Sequence, residues 1–158
     1  NHLELIPGLY VSRLDKVGEN YLTTFDIRIT RPNFEPVIDN PALHAIEHLG
    51  ATFLRNHPNW KDNVIYFGPM GCRTGCYLIL NGKVNSLDVY KLVKEMFEFI
   101  LNYEGVIPGA SAIECGNYLD LNLNMGKYYA KHYLNILNNP SNHFYKINMY
   151  YETIFFLN

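Results

Sequence analysis

The run Val64-Ile65-Tyr66-Phe67-Gly68-Pro69-Met70-Gly71-Cys72-Arg73-Thr74-Gly75-Cys76-Tyr77-Leu78-Ile79-Leu80 decides the fold. Val64 to Phe67 reads as a short buried strand of residues that favour β structure. Gly68-Pro69-Met70-Gly71 breaks it, and Cys76 to Leu80 resumes as a strand until the turn signal Asn81-Gly82. Cys72 thus lies in a tight turn between two strands. Upstream, Phe25-Asp26-Ile27-Arg28-Ile29 alternates apolar and polar, the period of a half-buried strand. Phe25, Ile27 and Ile29 face a core, Asp26 and Arg28 share the other face, and Arg31-Pro32-Asn33 ends the strand. Asn40 is expected to cap a helix with Pro41 as its first helical residue, running to about Asn56 before Pro58. Downstream, Ser86 is expected to cap a second helix. Its residues Val89, Leu92, Val93, Met96, Phe97 and Ile100 form one apolar stripe, and Gly105 stands where it should end. Pro108-Gly109 opens a loop holding Cys115-Gly116-Asn117, and a third helix spans roughly 124–137, stopped at Asn138-Asn139-Pro140. Strands and helices do not alternate as βαβ. The expected fold is therefore α+β, one domain with an antiparallel sheet packed against helices.

The 158 residues suit a single domain with a real core, and 48% hydrophobic and 18% charged residues are ordinary for a globular chain. A net charge of −2 gives no electrostatic reason to expect nucleic acid or an anionic membrane as partner. No apolar run approaches the length that spans a bilayer. Three cysteines make no disulfide framework and favour a reduced compartment, so a cytoplasmic location is expected. The chain begins at Asn1 rather than Met, so residues are expected upstream. Ser141 to Asn158 is aromatic without clear period, and Tyr150 to Phe156 reads as an edge strand or an adhesive tail.

The chemistry concentrates in His44-Ala45-Ile46-Glu47-His48, inside the first turns of the first helix. On a helix His44 and His48 share a face, so two imidazoles can grip one metal ion with the Glu47 carboxylate near it. This H-x-x-E-H order marks a metal-dependent active site, against the plainer reading of a helix with two surface histidines. A catalytic site uses three protein ligands and leaves a position open. Peptidases with this motif take the third from a distant acidic residue on a much larger chain. Here Cys115 is the better candidate, with Gly116 expected to let backbone approach closely. Cys72, between glycines, is expected to be exposed. Arg73 is expected to favour its thiolate, which can then serve as general base near a metal. Cys76 reads as core packing.

The strings Pro7-Gly8-Leu9-Tyr10-Val11-Ser12-Arg13, Thr24-Phe25-Asp26-Ile27-Arg28, His44 to Leu49, Gly68 to Gly75 and Glu114-Cys115-Gly116-Asn117-Tyr118 together resemble the S-ribosylhomocysteine lyase (LuxS) family. The resemblance covers about residues 2–138, leaving residues 139–158 as a tail of unassigned role. It implies a metal-dependent lyase that cleaves S-ribosylhomocysteine to homocysteine and 4,5-dihydroxy-2,3-pentanedione, the precursor of autoinducer-2. It implies His44, His48 and Cys115 as ligands of Fe(II), with zinc or cobalt able to replace it, and Cys72 and Glu47 as catalytic groups. His2, Arg28, Asp26 and Arg55 match substrate-pocket positions. The family is an α+β homodimer whose active sites lie at the subunit interface. Departures are the absent Ser-Phe pair before His2, Asn1 where Asp is common, and Tyr66 and Thr24 where some members hold Asp and Lys. With Asn1 as the first residue, His2 is expected to be frayed. The competing expectations are a metallopeptidase, with an acidic third ligand, and a non-catalytic metal-binding module with a closed site.

Overall fold

The computed structural model describes residues 1–139, and the 150–156 segment lies outside the described residues. Its elements are β1 (Gly8–Val17), β2 (Asn20–Arg28), α1 (Asn40–Arg55), β3 (Val64–Pro69), β4 (Gly75–Asn81), α2 (Ser86–Asn102) and α3 (Leu123–Asn138). The four strands form one antiparallel sheet in the order β1-β2-β4-β3. The α+β expectation holds. β3 and β4 are joined by the Cys72 turn, and β4 then inserts beside β2.

Two strand expectations need correction. β1 is the longest strand and was not anticipated. Its pairing slips between Val11 and Arg13, so its sequence lacks the clean alternation that marks a strand. β3 was expected to be buried, yet it is an edge strand that leaves Ile65 and Tyr66 half exposed. β2 starts five residues earlier than the alternating stretch, at Asn20, and ends at Arg28. In β4 the alternation is strict: Cys76, Leu78 and Leu80 are buried between the half-buried Tyr77 and Ile79.

The helices form where the pattern places them, but the first two caps each fall one residue before the expected one. The α1 cap is Asp39, whose carboxylate accepts from Ala42 N, one residue before the expected Asn40. The α2 cap is Asn85, in a reciprocal capping box with Asp88, while Ser86 is already helical and buried. Asn122 caps α3. α2 ends at Asn102, with Gly105 (φ 101°) just beyond it. The whole apolar stripe of α2 is buried, in one cluster with Leu9, Phe25, Ile27 and Leu78 from the sheet and Ala45, Ile46 and Leu49 from α1. All three helices therefore cover one sheet face. Gly50 sets how closely α1 lies on β3: a Cβ there would sit 2.3 Å from the Phe67 ring. That close approach carries the His44–His48 face to the edge of the sheet.

Candidate active site

His44, Glu47 and His48 are half-buried on α1. Each imidazole is aimed by a backbone carbonyl: His44 Nδ1 lies 2.8 Å from Asp120 O, and His48 Nδ1 lies 2.8 Å from Pro108 O. A carbonyl only accepts, so both Nδ1 atoms carry a proton, and both rings present Nε2 lone pairs. Those two Nε2 atoms face each other at 3.1 Å. Two lone pairs at that distance repel unless a proton or a metal cation lies between them. Cys115 brings a third donor, with Sγ 3.4 Å from His44 Nε2, and all three ligand atoms lie within 4.8 Å of one another. Tetrahedral coordination at ordinary metal–nitrogen and metal–sulfur lengths gives edges of about 3.3 Å for N–N and about 3.6 Å for N–S. The donors therefore fit a three-ligand divalent site.

The loop between α2 and α3 makes this convergence. Cys115 N bonds Ser111 O in a turn, and Asn117 N donates to Cys115 Sγ at 3.4 Å. The role expected of Gly116 does not hold: a Cβ there would meet nothing within 4 Å. The glycine that matters is Gly109, missed in the sequence although its Pro108-Gly109 pair stood out. Its φ is +76°, and a Cβ would lie 3.1 Å from His48 Nδ1. Gly109→Ala is therefore expected to strain the loop and turn the His48 ring. We expect metal affinity to fall about 10-fold or more, measured by chelator competition.

Glu47 makes no hydrogen bond or ion pair among the described residues. It lines an open cavity of about 450 Å³ with His48, Thr52, Arg55, Tyr66 and Gly109. Arg55, exposed near the end of α1, reaches the same cavity.

Cys72 stands elsewhere. It is exposed, as expected, on a turn whose next residue, Arg73, holds a left-handed backbone (φ 60°). Its cavity, about 640 Å³, is walled by His2, Thr74 and residues 32–37 and shares no residue with that of Glu47. A third cavity brings His2 together with Asp26, Arg28, Tyr10 and Tyr77. His2 is not frayed: Glu4 N and Leu5 N both bond Asn1 O, closing a turn. The sequence-predicted residues thus divide into two groups, one of His44, Glu47, His48, Arg55 and Cys115, the other of His2, Asp26, Arg28 and Cys72.

The cation beside Cys72 is Arg28, not Arg73. Arg28 is buried against Asp26, donating through Nε (3.0 Å) and Nη2 (2.5 Å) to the two carboxylate oxygens. Burial pushes the Asp26 carboxyl up, against the opposing hydrogen bond and charge of Arg28. The two-pronged contact to Arg28 opposes that upward shift. Arg28 Nη1 donates to Thr74 Oγ1 at 2.6 Å and lies 3.7 Å from Cys72 Sγ. The same Thr74 hydroxyl shares a hydrogen bond with Cys72 Sγ at 3.1 Å and can donate its proton to the thiolate. Burial raises the Cys72 thiol, but the bonds from Thr74 and the charge of Arg28 outweigh it, and the net shift is downward. Nothing in the sequence signalled Thr74 beyond its place in the turn. Thr74→Val is expected to move the Cys72 alkylation midpoint to higher pH, slowing reaction with iodoacetamide at neutral pH. Mass spectrometry of the Cys72 peptide measures it. Cys76, by contrast, is fully buried in the core, as expected, with its thiol pushed up.

The family model S-ribosylhomocysteinase (LuxS) matches residues 1–143. This chain belongs to the LuxS family. A curated S-ribosylhomocysteine lyase of Finegoldia magna is 63% identical over 139 residues, 88% of each chain. That of Clostridium beijerinckii is 62% identical over 135 residues, 85% of each chain. That of Phocaeicola vulgatus is 48% identical over 153 residues, covering 97% of this chain and 93% of its own. LuxS membership makes the chain a carbon–sulfur lyase by family, and the third donor that the fold brings beside the two imidazoles is a sulfur rather than a carboxylate. No helix among the described residues is long and apolar enough to cross a membrane.

Proposed function

We propose that this chain cleaves S-ribosylhomocysteine to homocysteine and 4,5-dihydroxy-2,3-pentanedione, as a domain spanning residues 1–138, working in the cytoplasm. The observation that carries the reading is the meeting of His44, His48 and Cys115, three donors from two remote segments, in a chain of this family. His44, His48 and Cys115 would hold one divalent ion, Fe(II) as the family resemblance implies, with zinc or cobalt able to replace it. Bound there with an open position, such an ion supplies Lewis acidity toward sugar carbonyl and hydroxyl oxygens.

The chain's own residues move the protons. Breaking the thioether requires the carbonyl to migrate from C1 to C2 and then to C3, each shift removing a proton beside a carbonyl and returning it one carbon away. Cys72, whose thiol Thr74 and Arg28 shift toward the thiolate, is one base. Glu47, beside the ligand cluster and unpaired among the described residues, is the other, acting from the opposite face of the sugar. Once the carbonyl reaches C3, removal of the C4 proton expels homocysteine from C5, and the resulting enol becomes the diketone. No oxidant or reductant is consumed. His2 and Arg55 contact the substrate at the two ends of the pocket. Asp26 and Arg28, both buried, form its floor.

A homodimer with the sites at its interface, as the family resemblance implies, would reunite the two groups. On the sheet face away from the helices, Tyr10, Asp26 and Tyr77 stand in one cross-strand row and Thr24, Ile79 and Tyr66 in the next. Tyr66 borders the Glu47 cavity at one side of that face, and Tyr77 borders the His2–Arg28 cavity toward the other. Two copies packed on this face about a twofold axis would bring each metal group to the partner's Cys72 group, twice over.

Released homocysteine thiol, titrated anaerobically with Fe(II)-loaded protein and S-ribosylhomocysteine, tests the reading. Stoichiometric release supports it. A metal-replete protein that releases none is instead the non-catalytic module.

A further inference from the structure

Residues 32–37 wall the Cys72 cavity, and both ends of the segment are tied to the Cys72 turn. Thr30 N bonds Thr74 O at 3.0 Å on one side, and Ile38 N bonds Arg73 O at 2.9 Å on the other. Between those anchors the backbone bonds only to itself, through Phe34 N and Glu35 N to Arg31 O. The Glu35 carboxylate closes the same turn by accepting from Arg31 N. The Arg31 guanidinium stacks on the Phe34 ring at 3.9 Å, and Phe34 is 59% exposed at the cavity. From α3, His132 places Nε2 3.8 Å from Glu35 Oε1. This is the one polar link from residues 32–37 to a helix among the described residues. His132 Nε2 and Arg31 Nε are both buried without a hydrogen-bond partner. Buried His132 Nε2 faces the Glu35 carboxylate just beyond hydrogen-bond reach, so a small movement of the wall toward α3 is rewarded with a hydrogen bond.

We propose that Glu35 and His132 form a strut that sets the position of the 31–37 wall over Cys72, making both of them positioning residues for substrate binding. Neither touches the reacting atoms. The strut fixes the turn that Glu35 closes, the turn carries Phe34, and Phe34 shapes the entrance to the thiol. The effect belongs to binding rather than proton transfer, because Arg28 and Thr74 hold the Cys72 sulfur independently of the wall. The kinetic arm of the test rests on the lyase reading; the chemical arm does not.

The test compares His132→Leu, His132→Gln, Glu35→Ala and the Leu/Ala double variant. We expect His132→Leu and Glu35→Ala each to raise KM for S-ribosylhomocysteine about threefold or more, the size of a half-exposed ion pair. Turnover at saturation should stay near wild type, and iodoacetamide alkylation of Cys72 should change by a similar factor. The double variant should be no worse than either single one, since both break one link. His132→Gln, which keeps a donor toward the carboxylate, should restore KM. If His132→Leu loses its native circular dichroism, Glu35→Gln carries the same comparison. Unchanged KM and unchanged alkylation, or effects that add in the double variant, overturn the strut. If the wild-type protein releases no thiol, the lyase reading fails by itself. The alkylation rates then decide alone: a change shared by both single variants supports the strut, and none overturns it.

Discussion

Cys72→Ala and Glu47→Gln are each expected to reduce thiol release about 10²–10⁴-fold while metal content stays at wild-type level. The two substitutions lie in different groups of the site, so the combination of outcomes is informative. Cys72 shares no cavity residue with Glu47, and it makes no contact with the ligand atoms of His44, His48 or Cys115 among its hydrogen bonds. Removing its thiol leaves the metal donors untouched. Glu47 adjoins the ligands but is not one of the three, and glutamine keeps its shape while removing its basicity. A peptidase reading expects Cys72→Ala to be silent. If the two bases belong to one composite site between subunits, mixing the two inactive variants should restore part of the activity. A mixed dimer then holds one site with both bases intact. Retained turnover in homogeneous Cys72→Ala would remove the thiolate from the mechanism.

Cys115→Ala is expected to remove the metal itself. Two imidazoles from one helix remain, but the third donor is gone, and binding should weaken more than about 100-fold. Turnover falls with it. The protein should stay folded, because Cys115 sits in a surface loop outside the core cluster. Metal analysis after gel filtration measures the loss, and far-ultraviolet circular dichroism confirms the fold. A metal-replete Cys115→Ala protein would point to another third ligand. The contrast with Cys72→Ala matters most: one cysteine governs occupancy, the other governs turnover.

How much of this was legible in the sequence depended on how local the cause was. His44 and His48 could be placed together because four residues on a helix fix a face. The α2 stripe was legible for the same reason, and all six of its apolar residues are buried. β1 was not legible, since a register slip after Val11 and charged Arg13, Asp15 and Lys16 hide its alternation. β3 misled because Val-Ile-Tyr-Phe has the composition of a core strand, and edge position is a property of topology. The environment of Cys72 was misassigned for a related reason. Arg73 is its neighbour in sequence, but β-pairing brings Arg28, 44 residues away, to the thiol. Thr74 became visible only as the group between them. Cys115 was a choice among donors in the sequence, and the fold alone brings it to the imidazoles, 71 residues from His44. The division of the site into two groups had no sequence signal at all, because it depends on which residues the folded chain brings to each cavity.

The most direct test is X-ray absorption at the metal edge of the Fe(II)- or Zn-loaded protein. The expected spectrum has two imidazole nitrogens at about 2.0–2.1 Å, one sulfur at about 2.3 Å and at least one light, exchangeable scatterer in the remaining position. The sulfur shell should vanish in Cys115→Ala and persist in Cys72→Ala. A metal site with no sulfur neighbour in the unmodified protein would contradict the three-donor centre and the lyase mechanism built on it.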